Sequence, residues 1–203
     1  MSDIKYGLIS KTDAQTIENT LDLICQEFPD VEEILKTCEV GLYSGLTSKA
    51  ICDYLFYKKR RINAHIGIDN GKDGELMTNF PDSARFINMS SSEAYKHIPD
   101  NSQHFIFIDA NHSFPYVVSD IFCYEEKVKI GGYLLFHDTG EHIKQFTGYQ
   151  LGDKNSPDSY ISVRRALKRT GLLDDELYGW RKIFDEADIE DEMGGICVFK
   201  KYK

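Results

Sequence analysis

No Cys-x-x-Cys pair, no apolar run of about 18 residues and no stripe of basic side chains occurs in this chain. Its five cysteines, Cys25, Cys38, Cys52, Cys123 and Cys197, are scattered through apolar patterns. That spacing argues against a zinc site or a disulfide framework and predicts free, buried thiols in a reducing compartment. Without a membrane-length run or a signal-peptide pattern ahead of the first helix, the expectation is a cytoplasmic protein with no membrane contact. A net charge of -9 argues against a nucleic-acid surface. The acidic clusters at 174–176 and 185–192 read as solvated faces. Repeats and low-complexity segments are absent as well. What remains is 203 residues, 41% hydrophobic and 28% charged, suited to one α/β domain over 1–203. Assembly into a homo-oligomer is left open.

A third glycine is missing where it would matter most. Thr37 to Thr47 (Thr-Cys-Glu-Val-Gly-Leu-Tyr-Ser-Gly-Leu-Thr) reads as a buried strand end, a tight turn and a helix start. A dinucleotide turn wants Gly-x-Gly-x-x-Gly, so that a pyrophosphate rests on bare backbone at the helix N-terminus. Here the pattern is Glu39-x-Gly41-x-x-x-Gly45, with Tyr43 and Ser44 between the glycines. A carboxylate two residues before the first glycine repels a pyrophosphate but suits a ligand carrying an ammonium and a sulfonium. S-adenosylmethionine is therefore favoured over a nicotinamide dinucleotide, with a turn that binds nothing as the plain alternative.

The rest of the chain alternates strands and helices, which predicts a parallel, doubly wound sheet. A first helix is expected from Asp13 to about Phe28, opened by a Thr12–Gln15 capping box, within an N-terminal helical segment over 1–33. After the glycine turn, a helix closed by Lys58 to Arg61 leads to a second strand, Ala64 to Asp69. Asp69 ends that strand where it can accept hydrogen bonds from a ribose diol, or else cap its own Asp-Asn-Gly turn. Ser90 and Ser91 follow the third strand, near where an adenine would lie, and serve equally well as helix caps. His104 to Asp109 is a continuous apolar strand suited to the middle of a parallel sheet. A helix opened by Ser113 and Pro115, turning Val117, Val118, Ile121 and Phe122 inward, is expected to stop at Gly131-Gly132. A fifth strand then delivers Asp138. The polar stretch from Gly140 to Ser159 is long enough to act as a lid. A helix from about Ser159 to Arg169 follows, and Trp180–Phe184 and Gly195–Lys200 can pair antiparallel.

If the fourth and fifth strands are neighbours, about 4.8 Å apart, Asp109 and Asp138 can share a hard cation such as Mg2+. Each could equally cap its own turn. His112 lies just beyond Asp109, as a proton acceptor or as a loop histidine bonded to backbone. His137 should alternate to the far side of its strand from Asp138, which suits packing or a supporting role.

Glu39 to Thr47, Phe107-Ile-Asp-Ala-Asn-His112 and Gly131-Gly-Tyr-Leu-Leu-Phe-His-Asp138 together resemble class I S-adenosylmethionine-dependent methyltransferases, in the small-molecule O-methyltransferase branch of catechol and macrocin type. The resemblance runs from about residue 36 to the final Gly194–Phe199 segment. It implies strand order 3-2-1-4-5-7-6 with the seventh strand antiparallel. By position it implies a cofactor loop of Glu39, Gly41, Tyr43, Ser44 and Gly45, a ribose acid at Asp69 and an adenine-side Ser91. Asp109 is counted with the cofactor, metal and catalytic residues alike. Asp138 matches a metal ligand, Thr139 stands where the family has an asparagine ligand, and His112 stands where it has a lysine base. The expected activity is methyl transfer to a hydroxyl of a small molecule, Mg2+-assisted, with His112 as base. A metal-independent methyltransferase, a nicotinamide-dependent oxidoreductase and a silent cofactor-binding module stay open as alternatives.

Overall fold

Seven strands make one sheet: β1 (Leu35–Val40), β2 (Asn63–Asp69), β3 (Arg85–Asn88), β4 (Gln103–Ile108), β5 (Val128–His137), β6 (Trp180–Asp185) and β7 (Ile196–Lys201). The structure is a computed structural model, and it describes residues 9–71, 78–140, 163–175, 177–185 and 194–203. The strand order is β3-β2-β1-β4-β5-β7-β6. Pairs are parallel from β3 through β5, and β7 runs antiparallel to both β5 and β6. The order and the antiparallel strand are those the resemblance implies. The proposed lid beyond Gly140, with His142, Phe146 and Tyr149, lies outside the described residues.

Burial on both faces explains the apolar runs. All six residues of β4 are buried, and their alternation divides the core in two. Phe105 and Phe107 face α1 (Lys11–Glu27) and α2 (Leu46–Asp53), packing with Ile17, Leu21, Ile24 and Ile51. Ile106 and Ile108 join the opposite core with α3 (Ser91–Ala94), α4 (Phe114–Tyr124) and α5 (Val163–Arg169), through Ala94, Val117, Ile121, Ala166 and Leu167.

Three local expectations change. The cap of α1 is Ser10, whose side chain accepts from the Asp13 N–H at 3.0 Å, so the helix starts before Thr12. Gly131 and Gly132 lie inside β5 and do not end a helix. The β4–β5 register slips between Gln103 and Phe105, and Gly131, at φ +86°, supplies the positive dihedral of that bulge. Phe122 is exposed, and the inward face of α4 uses Asp120 and Tyr124 beside Val117 and Ile121. Arg61 also has more to do than complement a helix end. It is buried and donates to the carbonyls of Phe28, Asp30 and Glu33, which clamps the chain between α1 and β1.

Asp120 is 1% exposed, its Oδ1 lacks a hydrogen-bond partner among the described residues, and burial pushes its carboxyl up to about 6. The nearby Ser91 offsets this only in part. A carboxyl raised from 3.8 in the unfolded chain favours folding while protonated, and that contribution is lost as pH rises through about 6. Asp120→Asn should therefore raise the unfolding free energy of the ligand-free protein by about 3 kcal/mol at pH 7.5 and change little at pH 4. Urea titrations at the two pH values measure the difference.

Candidate active site

The strand order reverses between β1 and β4, which opens a crevice at the carboxyl edge of the sheet. The glycine turn sits there. Gly41 has φ +89°, Tyr43 +47° and Gly45 +75°. A Cβ on Gly41 would stand 2.1 Å from the Asp109 carbonyl oxygen, so this glycine lets the exits of β1 and β4 touch. Gly45 caps α2 with no side chain of its own. Phe80 packs over both Gly45 and Gly67, at distances that leave no room for a Cβ on either. Neither Phe80 nor Gly67 carried a sequence signal, because their proximity depends on the loop after β2.

Asp69 reaches back to hold the turn. Its Oδ2 accepts from the Leu42 N–H at 2.8 Å and its Oδ1 from the Gly71 N–H at 2.6 Å. Oδ2 also takes the Tyr43 N–H at 3.4 Å, which leaves a lone pair on Oδ1 for a further donor. Tyr43 is exposed at the rim, and the Ser44 carbonyl accepts from the Asn79 N–H at 3.2 Å. Ser90 Oγ donates to Glu93 at 2.7 Å, and the Ser91 carbonyl accepts from the Tyr124 hydroxyl at 3.0 Å.

Glu39 lies beneath the turn, at 2% exposure. Ser48 Oγ donates to Glu39 Oε2, His65 Nε2 donates to Ser48 Oγ at 2.9 Å, and Thr37 Oγ1 donates to His65 Nδ1 at 2.8 Å. Burial raises Glu39 well above the usual carboxylate range, with Asp109 and Asp69 adding to the effect against the Ser48 hydrogen bond. Burial lowers His65 to about 3, so it is neutral. Ser48 and His65 were missed in the sequence; polar residues at Thr37, Glu39 and His65 inside otherwise apolar strands were the available signal.

Across the crevice, Asp109, His112, His137 and Asp138 form one cluster. His112 Nε2 stands 3.1 Å from Asp109 Oδ1 and 3.3 Å from Asp138 Oδ2. His137 Nδ1 is 3.4 Å from Asp109 Oδ1 and 3.5 Å from Asp138 Oδ1, and its Nε2 meets Asp13 Oδ2 at 3.1 Å. Asp109 and His112 are partly open, while Asp138, His137 and Asp13 are buried. Strand alternation placed His137 away from Asp138. The structure corrects this, because Asp138 follows the end of β5 in a left-handed conformation, φ +54°, where the two-residue period no longer holds. Asp13 was missed too, although an acid four residues before Ile17 on the buried stripe of α1 is a readable anomaly.

Charge within the cluster is shared. Burial works against ionised Asp109, but His137 and His112 outweigh it and hold the carboxyl below its usual range. Burial also opposes imidazolium at both histidines, yet the carboxylates raise His112, and raise His137 well above its usual value. For Asp138 burial wins and the carboxyl is raised. Asp109, His137 and Asp138 each offer one donor atom, all within 4.8 Å of one another, so the side chains present fit a cation. Thr139 is fully buried, its N–H donates to the Gly195 carbonyl at 3.2 Å, and its Oγ1 lacks a partner among the described residues.

Three solved structures share this fold at low sequence identity. A protein from Corynebacterium glutamicum superposes with a TM-score of 0.66 at 14% identity, covering 98% of this chain and 84% of that one. An O-methyltransferase from Bacillus cereus, in complex with SAH, gives 0.62 at 13%, covering 98% and 84%. The O-methyltransferase TomG from Streptomyces achromogenes, in complex with SAM, gives 0.62 at 11%, covering 100% and 84%. No curated protein matches the sequence. A family model described as methyltransferase domain matches residues 38–139, from the middle of β1 through the glycine turn to the residue after Asp138. Spanning half of the 203 residues and both halves of the crevice, that match makes the chain a member of the methyltransferase-domain family.

Proposed function

We propose that the protein transfers a methyl group from S-adenosylmethionine to a hydroxyl of a small molecule. The observation that carries this reading is the meeting of His112 Nε2 with the Asp109 and Asp138 carboxylates, beside a turn opened by Gly41 and Gly45 and underlain by Glu39. In this reading Gly41 and Gly45 admit the methionine end of the cofactor against bare backbone. Burial favours the neutral form of Glu39 and the ligand's ammonium would favour the ionised one, while Asp69 accepts from a ribose hydroxyl with the lone pair left on Oδ1. Ser91 lies on the adenine side.

His112 takes the proton of the acceptor hydroxyl at Nδ1, while its Nε2–H donates to Asp109 Oδ1 and faces Asp138 Oδ2. The acceptor oxygen forms a bond to the methyl carbon as the carbon–sulfur bond breaks, leaving S-adenosylhomocysteine. Asp109 and Asp138 orient the imidazole and stabilise the imidazolium that forms. A divalent cation held by Asp109 and Asp138, when bound, would supply Lewis acidity that lowers the acceptor's pKa. Thr139 has the poorest claim among the proposed ligands, because its hydroxyl is buried and is a weak donor. Holding both reactants in one crevice accounts for much of the gain.

Calorimetry with S-adenosylhomocysteine, NAD and NADP, followed by transfer of labelled methyl to a panel of hydroxylated acceptors, tests the reading. Heat with the sulfur nucleoside alone, together with label on an oxygen, is the expected result. Heat with a dinucleotide would replace it by the oxidoreductase, and binding without transfer by the silent module.

A further inference from the structure

We infer that His137 is the nitrogen ligand of a divalent transition-metal site completed by Asp109 and Asp138, with Asp13 fixing its tautomer. The site deepens the proposed methyl-transfer centre and relies on that reading only for what the ion does. Whether the ion binds is a separate question.

The imidazole is held at one nitrogen and open at the other. Asp13 Oδ2 lies 3.1 Å from His137 Nε2, so the Nε2–H donates to that carboxylate. Nδ1 is then directed at Asp109 and Asp138, within ion-pair distance of both. A carboxylate behind one ring nitrogen with donor atoms before the other is the usual setting of a metal-bound histidine. Nδ1 is buried and faces two carboxylates, a setting that favours positive charge between them, carried by a proton on the ring in the metal-free protein and by a divalent ion that displaces it. The separations agree. Two donors each about 2.0–2.2 Å from one ion stand roughly 3–3.5 Å apart, and the observed distances are 3.4 and 3.5 Å.

Asp138 divides its two oxygens. Oδ1 faces His137 and Oδ2 faces His112, so the ion and the proposed base occupy opposite sides of one carboxylate. Asp13 is held in place from behind, since a Cβ on Gly194 would stand 2.8 Å from its Oδ2. The donor set, one imidazole and two carboxylates, sets the selectivity. Mg2+ prefers an all-oxygen shell that keeps several waters, whereas imidazole suits Fe2+, Ni2+ or Zn2+, and Mn2+, at the weak end of the same series, accepts a mixed nitrogen and oxygen set.

Pulsed electron paramagnetic resonance of the full chain loaded with Mn2+ reads the ligand directly. Coupling to an imidazole nitrogen is expected, and competition should show Mn2+ bound in preference to Mg2+. Asp13→Ala should weaken Mn2+ by about 10–100-fold. His137→Ala should abolish the nitrogen coupling and bring Mn2+ down toward Mg2+ affinity, with circular dichroism reporting the fold of each variant. Bound Mn2+ without nitrogen coupling in the unsubstituted protein, equal affinity for the two ions, or no Mn2+ binding would each overturn the inference. Titrating S-adenosylhomocysteine into the same samples separates the two ideas. Heat from it without nitrogen coupling ends the metal site alone, and coupling without heat ends the methyl-transfer reading alone.

Discussion

Gly41→Ala should abolish binding of S-adenosylhomocysteine and lower the unfolding free energy by about 2–4 kcal/mol. The new Cβ would lie 2.1 Å from the Asp109 carbonyl oxygen, 2.6 Å from its carbon and 2.8 Å from the Ala110 Cα. All three are backbone atoms at the exit of β4, so no rotamer change relieves the clash. The residue also sits at φ +89°, which alanine resists. Relief requires the exits of β1 and β4 to part, and that opens the crevice and breaks the Asp109 N–H bond to the Val40 carbonyl, now 2.8 Å. Urea unfolding and calorimetry on one preparation measure both effects. A variant as stable as the parent that still gives full heat with the nucleoside would remove the turn from the cofactor site.

Asp138→Asn should leave nucleoside binding intact and lower kcat by about 10²–10³. The substitution keeps the shape of a side chain that is 6% exposed while removing the charge facing His112 Nε2 at 3.3 Å and His137 Nδ1 at 3.5 Å. His112 would lose one of the two carboxylates that orient it and stabilise its protonated form. Asp138 stands apart from the turn of Gly41 to Gly45, so the loss should fall on kcat and not on cofactor affinity. Asp138→Ala serves as a second variant, because it cannot substitute an amide for either contact. Unchanged single-turnover rates in both would detach this cluster from the chemistry.

The glycine-turn side of the crevice was the more legible. Glu39, Gly41, Gly45 and Asp69 lie on short segments whose conformation follows from local rules, namely a strand end, a positive dihedral and a helix start. The acid and histidine cluster was legible only as a pair of strand-end acids, Asp109 and Asp138, with a neighbouring histidine. Its remaining members came from elsewhere. Asp13 is 124 residues from His137 in sequence, and no local pattern joins them. His137 was assigned to the wrong side because strand alternation was extended one residue past the end of β5, into a left-handed residue. Gly131-Gly132 was read as a helix stop because a glycine pair serves either role, and only the register of β5 on β4 chooses the bulge.

Local pattern and the family resemblance were enough for the class of fold, the order of its strands and the glycine turn after the first strand. These rest on periodicity and on glycine, which act over a few residues. It takes the folded molecule to show that α1 brings an acid to His137, that His65 and Ser48 join Glu39 in one hydrogen-bonded chain, and that Phe80 closes on two glycines. Such meetings depend on how helices lie across a sheet and where a strand slips by a residue, and these are settled by packing between segments far apart in the chain.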